Sequence, residues 1–398
     1  MDMGRGDPTA LIGAYEPGPA EGGLRGLLLL AGAPLVEHQV RRAVKAGAGR
    51  VLLLVEELPL ELAAAIARLR QEEIEVRLVE SIDEAADVLS AGEPVLLFAD
   101  GCLPDDGLLR DMALSPIPAL ATLEDGPAHA RHERIDARAR WAGIALLDGR
   151  RVADAAAMVG SWDPISTLLR RAVQEGAHRI AADAAPPLLT LDASDLATAE
   201  RLLIQSARRP ARDWVTRWLF RPIEELALPL LIQRRAEAWV LGAVASILAL
   251  LGGMIALSGW RWAALIALLI SGPLAAGATR LARVQTRPLW RPNLLAFLRE
   301  LGAVLVVIGI AGTLAAASGQ WGWWLMGVVL LGVMAALGVE RRIVPRPHPP
   351  WIASADMLGW AMLPFAAAGR WDIGMVVLVF YATGSFAALQ RQLLPARD

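Results

Sequence analysis

Two groups of side chains in this sequence could do chemistry, one in each half of the chain. In the first half, Asp100 directly follows the apolar run PVLLFA, which would place its carboxylate at the end of a buried strand. In the second half, arginines crowd a short stretch: Arg280, Arg283, Arg287 and Arg291. These guanidinium groups could bind a lipid headgroup or a nucleotide phosphate at a membrane surface. The excess of positive charge on cytosolic loops of membrane proteins would also explain them.

Other reactive residues are few. Cys102 is the single cysteine, and the five histidines are scattered, so neither a disulfide framework nor a zinc site is expected. Lys45 is the single lysine, whereas nucleic-acid-binding patches normally mix lysine and arginine among accessible aromatic side chains. We therefore expect no nucleic-acid partner.

The charge of the chain changes sign at its middle. Residues 1–200 carry 19 basic and 32 acidic side chains, a net −13, and residues 201–398 carry 20 and 9, a net +11. The whole chain is 55% hydrophobic, with a mean hydropathy of +0.43. These values predict two bodies in different surroundings, one of them in a membrane.

Short apolar runs alternate with helical patterns in the first half. Such alternation predicts a mostly parallel α/β sheet, which binds its ligands at the carboxyl ends of the strands. The runs are Thr9–Gly13, Val51–Val55, Glu75–Val79, Val95–Phe98, Ala119–Leu123 and Ala142–Leu147, and the helical patterns include Val36–Ala46 and Leu60–Gln71.

The second half predicts an all-α domain of six membrane spans. Each apolar stretch is close to the length that crosses a hydrocarbon core of about 30 Å, and tryptophans stand at the ends of several stretches. The six stretches are Ala238–Leu257, Ala263–Ala278, Leu301–Ala317, Trp321–Val339, Ile352–Ala368 and Ile373–Leu389. Asp356 lies inside the fifth, and we expect it to face a cavity or to pair with Arg341 or Arg342.

Arginines alternate between the loops that join these stretches. They are frequent before the first stretch, between the second and third, and between the fourth and fifth, and the other loops hold only Arg261 and Arg370. The positive-inside rule then predicts a multi-pass protein of the inner (cell) membrane with both termini in the cytoplasm. The start of the sequence, MDMGRGDPTALIG, does not resemble a signal peptide, so we expect the first half to stay cytosolic.

Residues Asp213–Gln233 mix tryptophan, leucine and phenylalanine with arginine, as in an amphipathic helix that lies in the membrane interface. An ordinary linker helix is the alternative. Small residues along the third and fourth stretches suit close helix packing or a homodimer. They are Gly302, Gly309, Gly327, Gly332 and Gly338.

The segment AAGATRLARVQTRPLWRPNLLAFLRE, between two of the apolar stretches, resembles the signature D-x2-D-G-x2-A-R-x8-G-x3-D-x3-D of CDP-alcohol phosphatidyltransferases. With Ala282–Arg283 in register, the four metal-binding aspartates of that family fall on Ala275, Ala278, Ala296 and Glu300. A binuclear Mg²⁺ site needs several carboxylates. The resemblance therefore implies a family member without its catalytic centre, with Glu300 as a remnant of the catalytic acids and no metal cofactor in the membrane domain.

The stretch GLLLLAGAPLVEHQVRRAVKAGAGRVLLLV resembles the early part of sugar-nucleotidyltransferase domains. The resemblance implies that Asp100 is a Mg²⁺ ligand, that Asp192 or Asp195 is the second metal-binding acid, and that Arg25 stands near the family's phosphate-binding lysine. The loop AYEPGPAEGG carries two acids where that family has a basic phosphate-binding loop.

The order of these parts, with the linker RRPARDWVTRWLFRPI between them, resembles bifunctional inositol-phosphate cytidylyltransferase/phosphatidyltransferase proteins. We therefore expect a disordered N-terminus at 1–8, a nucleotidyltransferase-like α/β domain at 9–207, an interfacial helix at 208–235 and a six-span membrane domain at 236–398.

The resemblance allows three functions. In the first, the protein is a pseudoenzyme of phospholipid headgroup synthesis that binds the bilayer, a CDP-alcohol or nucleotide, or an active phosphatidyltransferase. In the second, the cytosolic domain is an active nucleotidyltransferase that makes a CDP-alcohol with Mg²⁺. In the third, the membrane domain is a phosphatidyltransferase whose metal site has moved.

Overall fold

The computed structural model describes residues 6–19, 23–158, 163–189, 193–207, 213–234, 236–287, 289–343 and 349–393. The chain divides into two compact units, Met1–Ser206 and Ala207–Asp398, here named the α/β unit and the helical unit.

A seven-stranded sheet organises the α/β unit, in the order β10-β8-β9-β6-β1-β4-β5. Within that sheet β9 runs antiparallel to its neighbours β6 and β8, and the other neighbouring pairs are parallel. The mostly parallel sheet predicted from the sequence is therefore confirmed. The strands are β1 Thr9–Gly13, β2 Leu29–Leu30, β3 Ala33–Pro34, β4 Arg50–Leu54, β5 Val76–Val79, β6 Pro94–Phe98, β7 Cys102–Leu103, β8 Ala119–Glu124, β9 Ala139–Asp148, β10 His178–Ala181 and β11 Leu188–Leu189.

Helices cover both faces of this sheet, because each central strand is apolar on both sides. Ile12 of β1 packs in one core with α1, α2 and α4, and its neighbour Leu11 packs in a second core with α3, α5 and α6. The helices are α1 Leu35–Lys45, α2 Leu60–Gln71, α3 Ile82–Val88, α4 Asp106–Leu114, α5 Gly149–Ala156, α6 Pro164–Gln174 and α7 Ala193–Ser206.

The helical unit contains one juxtamembrane helix and six further helices among its described residues. They are α8 Arg221–Gln233, α9 Ala238–Leu257, α10 Arg261–Val284, α11 Pro292–Ser318, α12 Gly322–Ile343, α13 Ala355–Ala367 and α14 Trp371–Leu393. Five of them, all except α8 and α13, are long and apolar enough to cross a membrane, within the part of the chain that the structure describes. The fifth predicted span, Ile352–Ala368, is shorter than expected: only the 13 residues of α13 are helical.

Glycines let α9 and α11 approach closely. A Cβ atom on Gly302 would lie 2.4 Å from the backbone of Ala249, and one on Gly309 would lie 2.5 Å from the backbone of Ala256. Two of the small residues predicted to support packing are therefore used inside this unit. A Cβ atom on Gly332 or Gly338 would meet no described atom within 4 Å.

The segment before the first span is helical, as its sequence predicts. A π-helical turn at Thr216–Phe220 leads directly into α8, and the Asp213 carboxylate accepts a hydrogen bond from the Thr216 amide at 2.7 Å. Phe220 and Ile232 are buried, whereas Trp218 and Leu226 are 68% and 77% exposed. The segment therefore buries some of its apolar side chains and exposes others.

Candidate functional site

The carboxyl ends of β1 and β6 lie side by side at one edge of the sheet. From β1 the chain continues to β4 and β5 on one side and then returns to β6 on the other, which makes this pair of strands a topological switch point. Open α/β sheets bind their ligands at such points. Asp100 follows β6, and the loop that begins at Ala14 follows β1, so the fold brings both to the predicted edge.

Asp100 is buried at this edge, with 4% of its surface exposed. Its Oδ2 accepts a hydrogen bond from the Glu16 amide at 2.9 Å, and its Oδ1 has no hydrogen-bond partner among the described residues. Burial is the main cause that raises the pKa of Asp100 to about 7, against the opposing effects of the Glu16 amide and Arg25. The carboxyl is therefore poised between its neutral and ionised forms near neutral pH.

Arg25 lies in a short 3-10 turn, and its guanidinium group pairs with a carboxylate of the same loop. Its Nη2 lies 3.4 Å from Glu16 Oε2, and its backbone amide donates to the Glu16 carbonyl at 2.9 Å. In this loop, the Glu16 amide therefore donates to Asp100, and the Arg25 guanidinium contacts Glu16. A phosphate at this site would have to displace Glu16 from Arg25.

Side chains that the sequence analysis did not single out form a series of hydrogen bonds that begins at Tyr15, in the loop after β1. The Tyr15 hydroxyl donates to the Asp163 carboxylate, which also caps α6 by accepting the Ser166 amide at 2.8 Å. The Ser166 hydroxyl in turn donates to Glu133 Oε2 at 3.0 Å. The Asp163–Pro164 pair is a helix-start signal that could have located this end of α6 from the sequence.

Of the two candidates for the second metal-binding acid, the structure describes Asp195 but not Asp192. Asp195 lies in the first turn of α7 and forms an ion pair with Arg131. Asp192 lies outside the described residues, and the strand before it, β11, pairs with β7 directly after Asp100. Within the described residues, no group of three or more histidine, cysteine, aspartate or glutamate side chains is arranged to hold a metal ion.

In the helical unit, the four positions that align with the metal-binding aspartates of the phosphatidyltransferase signature differ in solvent exposure. Ala278 is 1% exposed on α10, and its Cβ lies 3.8 Å from where a Cβ on Gly242 of α9 would be. Ala275 is half-buried, and Ala296 and Glu300 are exposed on α11. The Glu300 carboxylate therefore lies on the surface of this unit.

The candidate phosphate-binding arginines lie on and just after the last turns of α10. Arg280 is 4% exposed, and its Nη1 donates to Glu224 Oε2 of α8 at 3.2 Å. Arg283 donates to the Ala207 carbonyl at 3.4 Å, and the half-buried Arg287 donates its amide to the Ala282 carbonyl at 2.9 Å.

Asp356 pairs with a different arginine from those expected. Its carboxylate accepts from Arg299 of α11, a partner that was not predicted from the sequence. Arg341 instead donates to the carbonyls of Ile352 and Ala353 at 3.1 and 2.9 Å. The backbone before α13 lacks helical hydrogen bonds, and a side-chain donor near the end of α12 satisfies it.

No protein-family model and no curated protein matches this chain.

Proposed function

We propose that this chain is a multi-pass membrane protein of phospholipid headgroup synthesis that acts as a non-catalytic binding or scaffolding partner. The observation that carries the proposal is Ala278, which is buried close to α9 where the resembled signature has a metal-binding aspartate. Ala275 and Ala296 occupy two further metal positions, which leaves Glu300 as the one acid of four. One exposed carboxylate does not hold two Mg²⁺ ions.

The loop of the α/β unit supports the same conclusion. A nucleotide-binding loop needs free amides and bases for the phosphates. Here the Glu16 amide donates to Asp100 and Arg25 Nη2 contacts Glu16, so these two groups already have partners within the chain. Asp100 Oδ1 is the one buried carboxylate oxygen without a partner among the described residues, and no group of three or more possible metal ligands is found there, so we assign no step to Mg²⁺.

The test of the proposal is the release of CMP. We expect purified full-length protein in nanodiscs, given a panel of CDP-alcohols and acceptor alcohols with Mg²⁺ or Mn²⁺, to release no CMP above the protein-free control. Glu300→Gln should behave as the wild type does. Metal-dependent release that Glu300→Gln abolishes would overturn the proposal.

Six crossings with both termini in the cytoplasm fit the alternation of arginines along the loops. The sixth crossing would use α13 together with the non-helical residues before it. Such backbone is tolerated at membrane depth where protein satisfies it, and Arg341, Ser385 and Tyr381 contact the backbone of residues 351–353.

Reporter fusions check this topology. We expect cytoplasmic signals from fusions after residue 233, at 284–290 and at 398, and external signals at 258–261, 318–320 and 369–370. A cytoplasmic signal at 318–320 would exclude the arrangement of six crossings.

An active nucleotidyltransferase in the α/β unit is the second candidate. The observation in its favour is the buried Oδ1 of Asp100, which has no partner among the described residues and lies at the switch point of the sheet. Micromolar binding of CTP with Mg²⁺ by the full chain, lost in Asp100→Ala, would favour this candidate over the scaffold.

A further inference from the structure

Arg280 is a buried cation whose hydrogen bonds are incomplete. Its side chain is 5% exposed, and one nitrogen, Nη1, contacts Glu224 at 3.2 Å. In the part of the chain that the structure describes, Nε and Nη2 have no hydrogen-bond partner. A buried donor without a partner costs about 1–3 kcal/mol, and more when it is charged. Such a group points to an acceptor that the chain does not itself supply.

The two unpartnered nitrogens are the pair that suits an oxyanion. The N–H bonds of Nε and Nη2 lie on one edge of the planar guanidinium group and point the same way, so they donate in parallel to two oxygens of one phosphate or carboxylate. Glu224 contacts the remaining nitrogen and leaves this edge unused.

Among the described residues, Glu224 is the carboxylate that contacts Arg280. Burial is the main cause that raises the pKa of Glu224, against the lowering effects of Arg280 and Arg283. Arg283 and Arg287 add positive charge to the same end of α10 and attract anions to it.

We propose that the Nε–Nη2 edge of Arg280, between α8 and α10, is a bidentate binding site for a phosphate group. The phosphate belongs either to a phospholipid headgroup or to a soluble phosphate ester. This inference rests on the function proposed above, because it names the ligand class that the non-catalytic membrane partner holds.

Two double variants, each of which replaces both members of one ion pair, test the site on the full chain in detergent. Arg280→Gln with Glu224→Gln removes the buried cation and its acid together, so neither charge is left alone in the interior. Arg370→Gln with Asp372→Asn is the matched control, because it removes an exposed ion pair and also leaves the net charge unchanged. Circular dichroism and size-exclusion chromatography verify that both variants fold.

Binding is measured in two arms that separate the sources of phosphate. Calorimetry with pyrophosphate reports a soluble ligand. Native mass spectrometry with phosphatidylglycerol, against a galactosyl diacylglycerol of the same acyl chains, reports a lipid headgroup. We expect the wild type and the control variant to bind in at least one arm, and the Arg280/Glu224 variant to bind at least about tenfold more weakly, as the loss of two charge-assisted hydrogen bonds predicts.

Glu224→Gln alone should bind at least as tightly as the wild type, because Glu224 contacts Nη1 and its replacement leaves the Nε–Nη2 edge of Arg280 in place. Weaker binding in this variant, equal binding in the Arg280/Glu224 variant, or no binding of either probe by the wild type would overturn the site. None of these binding outcomes bears on whether the protein releases CMP. Conversely, metal-dependent CMP release would overturn the proposed function without removing the phosphate site.

Discussion

The edge of the sheet in the α/β unit and the end of α10 in the helical unit have opposite electrostatic character. At the sheet edge, carboxylates gather around Asp100, and Glu16 engages Arg25. At the end of α10, arginines gather around Arg280, and Glu224 is the carboxylate that contacts it. A phosphate-transfer site needs both kinds of group, acids for the metal and bases for the phosphate. The sheet edge holds the acids and the end of α10 holds the bases. We therefore expect the two regions to bind different ions.

The largest effect is expected from neutralising Asp100. Because its pKa is about 7 in the folded chain and near 3.8 in the unfolded chain, its contribution to stability is fully present below about pH 4 and is lost as the pH rises through 7. Asp100→Asn should therefore stabilise the α/β unit at pH 8 by about 4 kcal/mol and have little effect at pH 4. Hydrogen exchange of the β1 and β6 amides, compared at equal pH, measures this difference.

The exposed Asp111→Asn serves as the control for that experiment and should change stability by less than about 0.5 kcal/mol at either pH. If Asp100→Asn is no more stable than the wild type at pH 8, a positive group compensates the Asp100 carboxylate. The two regions would then not have opposite electrostatic character.

The next largest effect concerns Ala278, a position of the resembled signature in the helical unit. Ala278→Asp would place a carboxylate in a buried position beside α9, and it should destabilise the unit by about 3 kcal/mol. Thermal unfolding in detergent measures this loss. Ala296→Asp, at an exposed position, is the control and should cost less than about 1 kcal/mol. A stable Ala278→Asp variant that gains stability with Mg²⁺ would show that the metal site can be restored.

The smallest effect is expected at the loop of the α/β unit. The wild type should bind CTP no more tightly than about millimolar, which corresponds to about −4 kcal/mol. Glu16→Ala removes an acid and frees Arg25, so CTP should bind about fivefold more tightly, as expected for one partly exposed ion pair. Calorimetry decides this, with Glu61→Ala on the exposed side of α2 as the control. Unchanged binding in Glu16→Ala would mean that the loop excludes nucleotide by its shape.

The strands of the α/β unit could largely be predicted, because buried parallel strands are continuous apolar runs. The predicted helix Leu60–Gln71 is α2, and the predicted strand Val95–Phe98 is β6 with Pro94 added. The strand β10 was not predicted, since its sequence HRIA is short and mostly exposed at the edge of the sheet. A hydrophobic pattern does not identify a strand that is held mainly by its backbone hydrogen bonds.

The site residues were harder to predict, because their partners are distant in sequence. The position of Asp100 after a strand was predictable, but its contact with Glu16 depends on how the loop folds back across 84 residues of separation. The Arg299–Asp356 pair joins α11 to α13 in the same way, and charge counting along the loops pointed to Arg341 or Arg342 instead. Sequence periodicity locates elements, whereas such pairs depend on which helix faces meet.

The length of α13 has a consequence for the lipid around the protein. Thirteen helical residues rise about 20 Å, whereas a hydrocarbon core is about 30 Å thick. If the helical part of this crossing is α13 alone and the residues before it stay outside the hydrocarbon, the bilayer beside α13 is thinned or water enters at one end, and this hydrophobic mismatch costs fractions of a kcal/mol for each ångström. The protein would then partition into thinner membranes, and lipids with short acyl chains would gather beside α13.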